Sequence, residues 1–356
     1  MKDFHKYEVC ITTVSVIRYW KGEKIPKCLT LFVGGNHEAP GHLREMYFGG
    51  YAAKDIFYLG NSGVFHVGGL RIVGVSGIYK GHDYDKPIFE APPYTEQTKR
   101  SAYHVRRFDI EKLMLISGPV DVVVSHDWPC GITNFGDTET LLRVKDRTGQ
   151  LRQEIETNSL GNPHTMRLLK KLKPRYWFSG HMHVKYAALY EHEDGSVTRF
   201  LALDKCIPRR PFLQMVKSEV NVVKTGTVCL DPEWLAILKV NNECMPVGGA
   251  ARNPTSLKAP SPSEIEDTIT YLRSNRTVVP APVEVAPGMF EFPYLGQIHP
   301  GNGKYREWLC AAIGMTDKLS SLSVRSHEAN YAAPPPVSAA VSSVLSADAL
   351  FFEDSY

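Results

Sequence analysis

The stretch that decides the fold is LKPRYWFSGHMHV, residues 172–184, where a short apolar run ends abruptly in Ser-Gly-His-x-His. Three consecutive aromatics, Tyr176–Phe178, read as a strand covered on both faces, because a strand with one wet face alternates apolar and polar residues. The same arrangement recurs on either side. Thr30–Val33 (TLFV) runs into Gly34-Gly35-Asn36-His37-Glu38, and Val120–Val124 (VDVVV) runs into Ser125-His126-Asp127-Trp128-Pro129. Val197–Leu203 (VTRFLAL) ends at Asp204-Lys205, and Arg71–Val75 (RIVGV) adds a further strand. Between these runs lie helical patterns. Asn162-Pro163 is an N-cap with Pro at the first helical position, followed by Met166, Leu169 and Leu172 on one face, and Lys173-Pro174 leads into the aromatic strand. Strands alternating with helices make residues 29–212 an α/β layered domain.

Further on, Ser263 to Glu266 has a capping-box pattern with Ile265, Ile269 and Leu272 behind it, which predicts a helix in a C-terminal region; residues 246–263 read as a loop. From about Thr316 the Ser, Ala and Pro content predicts a disordered tail, residues 316–356. A net charge of +3 over 356 residues does not mark a nucleic-acid binder, since phosphate affinity depends on clustered cations. Seven cysteines, scattered and never in a CxxC pair, point to neither a disulfide framework nor a zinc finger. The absence of a long apolar run or a signal-like N-terminus sets the expectation of a soluble, intracellular protein with no membrane partner.

Polar residues at the ends of adjacent strands converge in one crevice, where open α/β sheets place their sites. A carboxamide and several imidazoles suit Mn, Fe or Zn, and a His-x-His pair on a loop can aim both rings at neighbouring ions. Any one of these histidines read alone is equally a capping or core residue; four at strand ends are not. Separately, residues 79–107 interleave Tyr79, Tyr84, Phe89, Tyr94 and Tyr103 with Lys80, Lys86, Lys99, Arg100, Arg106 and Arg107. That mixture suits stacking on an unpaired base while cations hold phosphates, although a solvated loop with tyrosines packed beneath it has the same composition.

GNHE (35–38) and GHMH (180–183) resemble the third and last motifs of the calcineurin-like metallophosphoesterases. SHDWP (125–129), HDYDKPIFEAPPYTEQTKRSAYHVR (82–106), QEIETNSLG (153–161) and FLALDKCIP (200–208) resemble, within that superfamily, the RNA lariat debranching enzymes. The resemblance implies a four-layer αββα sandwich over 29–212, a debranching-enzyme C-terminal domain over 213–315, and hydrolysis of the 2′–5′ branch of excised intron lariats in the nucleus. Carried over by motif, it makes Asn36, His126 and His181 ligands of one divalent ion (Mn, Fe or Zn), His183 a ligand of a second position, and His37 the general acid. Asp127 would orient a ligand ring. Tyr84, Tyr94, Lys99, Arg100, Tyr103 and Arg106 would contact the RNA. One departure is Pro87-Ile88, where the family carries Gly-His.

The family's Cys-x-His or Asp-x-His loop and its Gly-Asp loop have no counterpart ahead of residue 29, so residues 1–28 read as a divergent segment of an N-terminally truncated domain. Gly136-Asp137 follows SHDWP in a predicted loop and cannot replace the missing carboxylate. Two alternatives therefore stay open: a catalytically impaired lariat-RNA-binding isoform, and a generic metal-dependent phosphatase or phosphodiesterase. Asp204-Lys205 reads as a turn or ion pair. His104 and His164 receive no role.

Overall fold

The apolar runs become strands because each is too short and too β-rich to form a helix. The computed structural model describes residues 18–216, 226–297 and 302–322. The strands are β1 (Thr30–Phe32), β2 (Gly50–Ala53), β3 (Ile56–Tyr58), β4 (Ser62–Val67), β5 (Leu70–Val75), β6 (Val122–Ser125), β7 (Tyr176–Ser179), β8 (Tyr186–Glu191), β9 (Val197–Ala202), β10 (Val228–Leu230), β11 (Glu284–Ala286) and β12 (Met289–Glu291). They form two sheets, one ordered β1-β3-β2 and one ordered β11-β12-β10-β4-β5-β6-β7-β9-β8. Side chains from both meet: Phe57 of β3 lies edge-on to Phe65 of β4 at 4.9 Å and to Phe292 at 5.1 Å. Helices Arg107–Met114 and Pro163–Leu172 pack together, and the first also touches β4. The fold is α/β, as the sequence implied.

Asn162 caps its helix as expected, its Oδ1 accepting the N–H groups of His164 (2.8 Å) and Thr165 (3.3 Å). The C-terminal capping box forms two residues earlier than its predicted Ser263–Glu266 frame. Ser261 Oγ accepts from Glu264 N–H and Glu264 returns to Ser261 N–H, because Pro262 lacks an N–H and fits the first helical position. Double burial of β7 is also corrected. Trp177 is fully buried, whereas Tyr176 and Phe178 stack on one another, 6.0 Å apart, on a half-covered face.

β10 and β12 extend the same sheet, with β10 pairing with β4. Directly after β10, Asp231 takes two hydrogen bonds from Arg71 of β5 (2.8 and 3.0 Å) and lies 2.8 Å from His66 of β4. Packing also continues past residue 315: Lys318–Leu322 form a 3₁₀ turn with Leu319 buried, and Asp317 pairs with the buried Arg306 at 2.9 Å. The rest of the predicted tail, residues 323–356, and residues 1–17 of the divergent segment lie outside the described residues. Among the described residues, Cys28, Cys130, Cys206, Cys229, Cys244 and Cys310 are free thiols, and no helix is long and apolar enough to cross a membrane.

Candidate metal centre

β5, β6, β7 and β9 are parallel neighbours, so their carboxyl ends share one edge. The backbone ladder continues past the strands into the loops: His126 N–H donates to Val75 O (3.2 Å), Gly180 N–H to His126 O (3.1 Å) and Leu203 N–H to Ser179 O (3.4 Å). The loop after β1 is tied in from the other sheet, where Gly77 N–H donates to Gly34 O (2.8 Å) and Gly34 N–H to Ser76 Oγ (3.0 Å).

That stitching brings the predicted donors together. Asn36 Oδ1 is 3.1 Å from His126 Nε2, and the His126 and His181 rings are 5.0 Å apart, tilted by 55°. Gly35 permits the approach, since a Cβ there would sit 2.4 Å from His126 Cε1. His181 and His183 both adopt left-handed backbone, φ 61° and 52°, on a turn closed by Met182 N–H to Gly180 O (2.7 Å). Each such residue costs roughly 1–2 kcal/mol, a strain that persists only where surrounding structure imposes it.

Electrostatics keep the rings neutral. His126 is pushed down to about 3 by burial first, then by the nearby His181, His183 and His37. Burial likewise lowers His181, against the opposing pull of Asp127. Unprotonated imidazoles keep the lone pairs that a cation requires. The Asn36–His126 separation fits two donors about 2.0–2.2 Å from a shared ion, so the residues present fit a divalent metal. His37 is exposed at the rim of this cluster. Asp127 is buried; its carboxylate accepts the N–H groups of Tyr79 (3.0 Å) and Trp128 (2.9 Å), clamping the loop after β5 to the loop after β6 while facing His181 electrostatically. Asp204 accepts from Lys205 N–H (2.7 Å) and pairs with Arg210 (3.2 Å), the turn and ion pair expected. Asp137 caps helix Thr138–Lys145.

The six residues expected to contact RNA divide. Tyr94 and Tyr103 are half-buried and Arg100 is exposed. Tyr84 is 4 % exposed, its ring stacked on His164 at 3.7 Å, which leaves that face unavailable to a base. Lys99, 7 % exposed, pairs with Glu96, and Arg106, 3 % exposed, pairs with Glu90 and donates to the main-chain oxygens of Ser101 (2.9 Å) and Asp83. Glu90 also holds Arg44 (3.2 Å) and Ser101 Oγ (2.6 Å). These three residues build the segment's frame, and composition could not separate them from the outward-facing ones. At Pro87-Ile88 the chain instead pairs with the C-terminal region, Ile88 N–H donating to Pro246 O (2.9 Å) and Gly248 N–H to Ile88 O (2.8 Å). Lys80, exposed beside Asp127 and His181, escaped the sequence assignment although it opens the basic-aromatic stretch.

Residues 195–284 match the family model described as "Lariat debranching enzyme, C-terminal domain". Curated proteins named "Lariat debranching enzyme" are 48 % identical in Gallus gallus over 236 residues (65 % of this chain, 44 % of that protein) and 49 % identical in Arabidopsis thaliana over 231 residues (65 % and 54 %). Over the matched residues the chain is similar to lariat debranching enzymes. One more relative of that name, from Danio rerio, is 49 % identical over 230 residues, covering 63 % of this chain and 40 % of that protein. The chain thus spans about half the length of the curated relatives it matches. The family match starts at residue 195, ahead of β9, so it crosses the boundary drawn at 212 from sequence.

Proposed function

We propose that this protein hydrolyses the 2′–5′ phosphodiester of branched lariat RNA at the crevice formed by Asn36, His37, His126, His181 and His183. The observation that carries the reading is the approach of Asn36 Oδ1 to His126 Nε2 beside His181, in a chain 48 % identical over 236 residues to a protein named "Lariat debranching enzyme". Asn36, His126 and His181 would hold one divalent cation and His183 would face a second position. When bound, an ion of the Mn, Fe or Zn class supplies Lewis-acid activation of the phosphate and of the attacking water. The neutral, half-buried His126 and His181 keep that position free of competing protons. His37, exposed at the rim, would give its proton to the departing 2′ oxygen. The water oxygen bonds to phosphorus, the P–O2′ bond breaks, and the branch nucleotide regains its 2′-hydroxyl. Tyr94, Arg100, Tyr103 and Lys80 form the RNA-facing part of segment 79–107, where a ring can stack on an unpaired base and cations can contact phosphates. An excised intron as substrate implies work in the nucleus, which imaging of the tagged full chain tests.

The deciding assay offers branched 2′–5′ RNA, linear 3′–5′ RNA and a phosphopeptide to the purified full chain with Mn, Fe or Zn. Selective cleavage of the branch is expected; turnover of the phosphopeptide alone, or binding of branched RNA without turnover under every metal, defeats the proposal. His37→Ala should lower the rate by about 10²–10⁴-fold with metal still bound, the usual range for a lost general acid.

A further inference from the structure

A second set of donors stands outside the Asn36–His126–His181 cluster. His82 and Asp83 lie on the short helix Gly81–Tyr84, and His104 is pinned beside Ile78 by two backbone bonds, Ile78 N–H to Tyr103 O (3.2 Å) and Val105 N–H to Ile78 O (2.9 Å). Asp83 Oδ2 is 2.6 Å from His104 Nδ1 and 3.4 Å from His82 Nε2, and one donor atom from each residue lies within 4.8 Å of the others. The remaining polar atoms of Asp83 are engaged elsewhere: Oδ1 takes Lys86 Nζ at 2.6 Å, and the main-chain oxygen takes the Arg106 guanidinium. Oδ2 is therefore the atom that serves both imidazoles.

We infer that His82, Asp83 and His104 form a second binding site, for a divalent transition-metal ion of the zinc class, that fastens helix 81–84 to residue 104. Two imidazoles and one carboxylate are a donor set that zinc accepts, with a fourth position left for water or an anionic oxygen. His82 is exposed and gives the ion its route in; Asp83 and His104 are buried and fix two of the three donors beforehand. Burial also disfavours protonation of His104, against the pull of Asp83, so its ring is available as a neutral ligand. Binding moves the Nδ1 proton to Nε2 without net release, and the 2.6 Å hydrogen bond opens to about 3.4 Å, the spacing of two donors about 2.1 Å from a tetrahedral ion. Lys86 competes electrostatically for the carboxylate, which sets the affinity below that of a site with a free Asp.

Zinc titration of the dialysed full chain by calorimetry, with cobalt(II) absorption as a second probe, tests the site. The wild type should bind one equivalent more than His82→Ala, whose metal-free thermal unfolding should match the wild type. His104→Gln, which keeps a hydrogen-bonding group for Asp83, should lose the same equivalent, and Lys86→Met should tighten it several-fold. His181→Ala should leave that equivalent in place, so the result does not depend on the catalytic reading above. Wild-type stoichiometry and affinity in both His82→Ala and His104→Gln would overturn the site, as would a single equivalent in the wild type that His181→Ala removes.

Discussion

The loops at the strand ends and the segment 79–107 use the same kinds of polar residue in opposite ways. At the strand ends, Asn36, His126 and His181 point toward one another, with the nearby Asp127 carboxylate tied back to main-chain N–H groups; in segment 79–107, Glu90 is filled by Arg44, Arg106 and Ser101. A site that must receive an ion leaves its donors facing an open point, whereas a frame consumes its donors on itself. Segment 79–107 is therefore largely scaffold around Glu90, and its outward-facing side chains include Lys80 and Arg100.

The sharpest way to break that comparison is Arg106→Ala. Removing this guanidinium leaves Glu90, 1 % exposed, short of one of its two cations, and should cost about 3–5 kcal/mol of stability, the range for breaking a buried pair, measured by denaturant unfolding. A loss of RNA affinity with unchanged stability would instead make Arg106 an RNA contact. Gly35→Ala is next and acts in the other region. Its Cβ displaces the His126 ring, and a misplacement of that size should lower the debranching rate by about 10²-fold while far-ultraviolet circular dichroism stays native. An active Gly35→Ala enzyme would show that the close Asn36–His126 approach is dispensable. Smallest is Arg100→Ala, at an exposed position: stability should stay within about 0.5 kcal/mol, while the slope of log affinity for branched RNA against log salt should fall by about one unit. An unchanged slope would move the RNA path off this segment.

How much was legible follows from where each signal sits. Asn36, His126, His181 and His183 could be singled out because each closely follows an apolar run; the carboxyl ends of β6 and β7 converge by topology, whereas Asn36, on the other sheet, joins them through the Gly34–Gly77 pairing. Tyr84, Lys99 and Arg106 could not be told from Tyr94, Arg100 and Tyr103, because burial in an irregular segment follows no period. The helix start was displaced by two residues because Ser261 and Ser263 offer the same hydroxyl, and only Pro262 between them decides which one caps. His82, Asp83 and His104 carried no signal as a set, since two of them are neighbours and the third is brought back by a backbone bridge at Ile78.

By itself the sequence determined five of the twelve described strands and the polar loops that end them, because apolar runs and their polar stops are local properties of the chain. Only the tertiary structure decided that β10 and β12 complete the same sheet and that Tyr84, Lys99 and Arg106, three of the six residues expected to contact RNA, face inward. It also decided that His104 meets Asp83. Each of these depends on which distant backbone groups pair, and pairing is settled by collective packing rather than by any one stretch of residues.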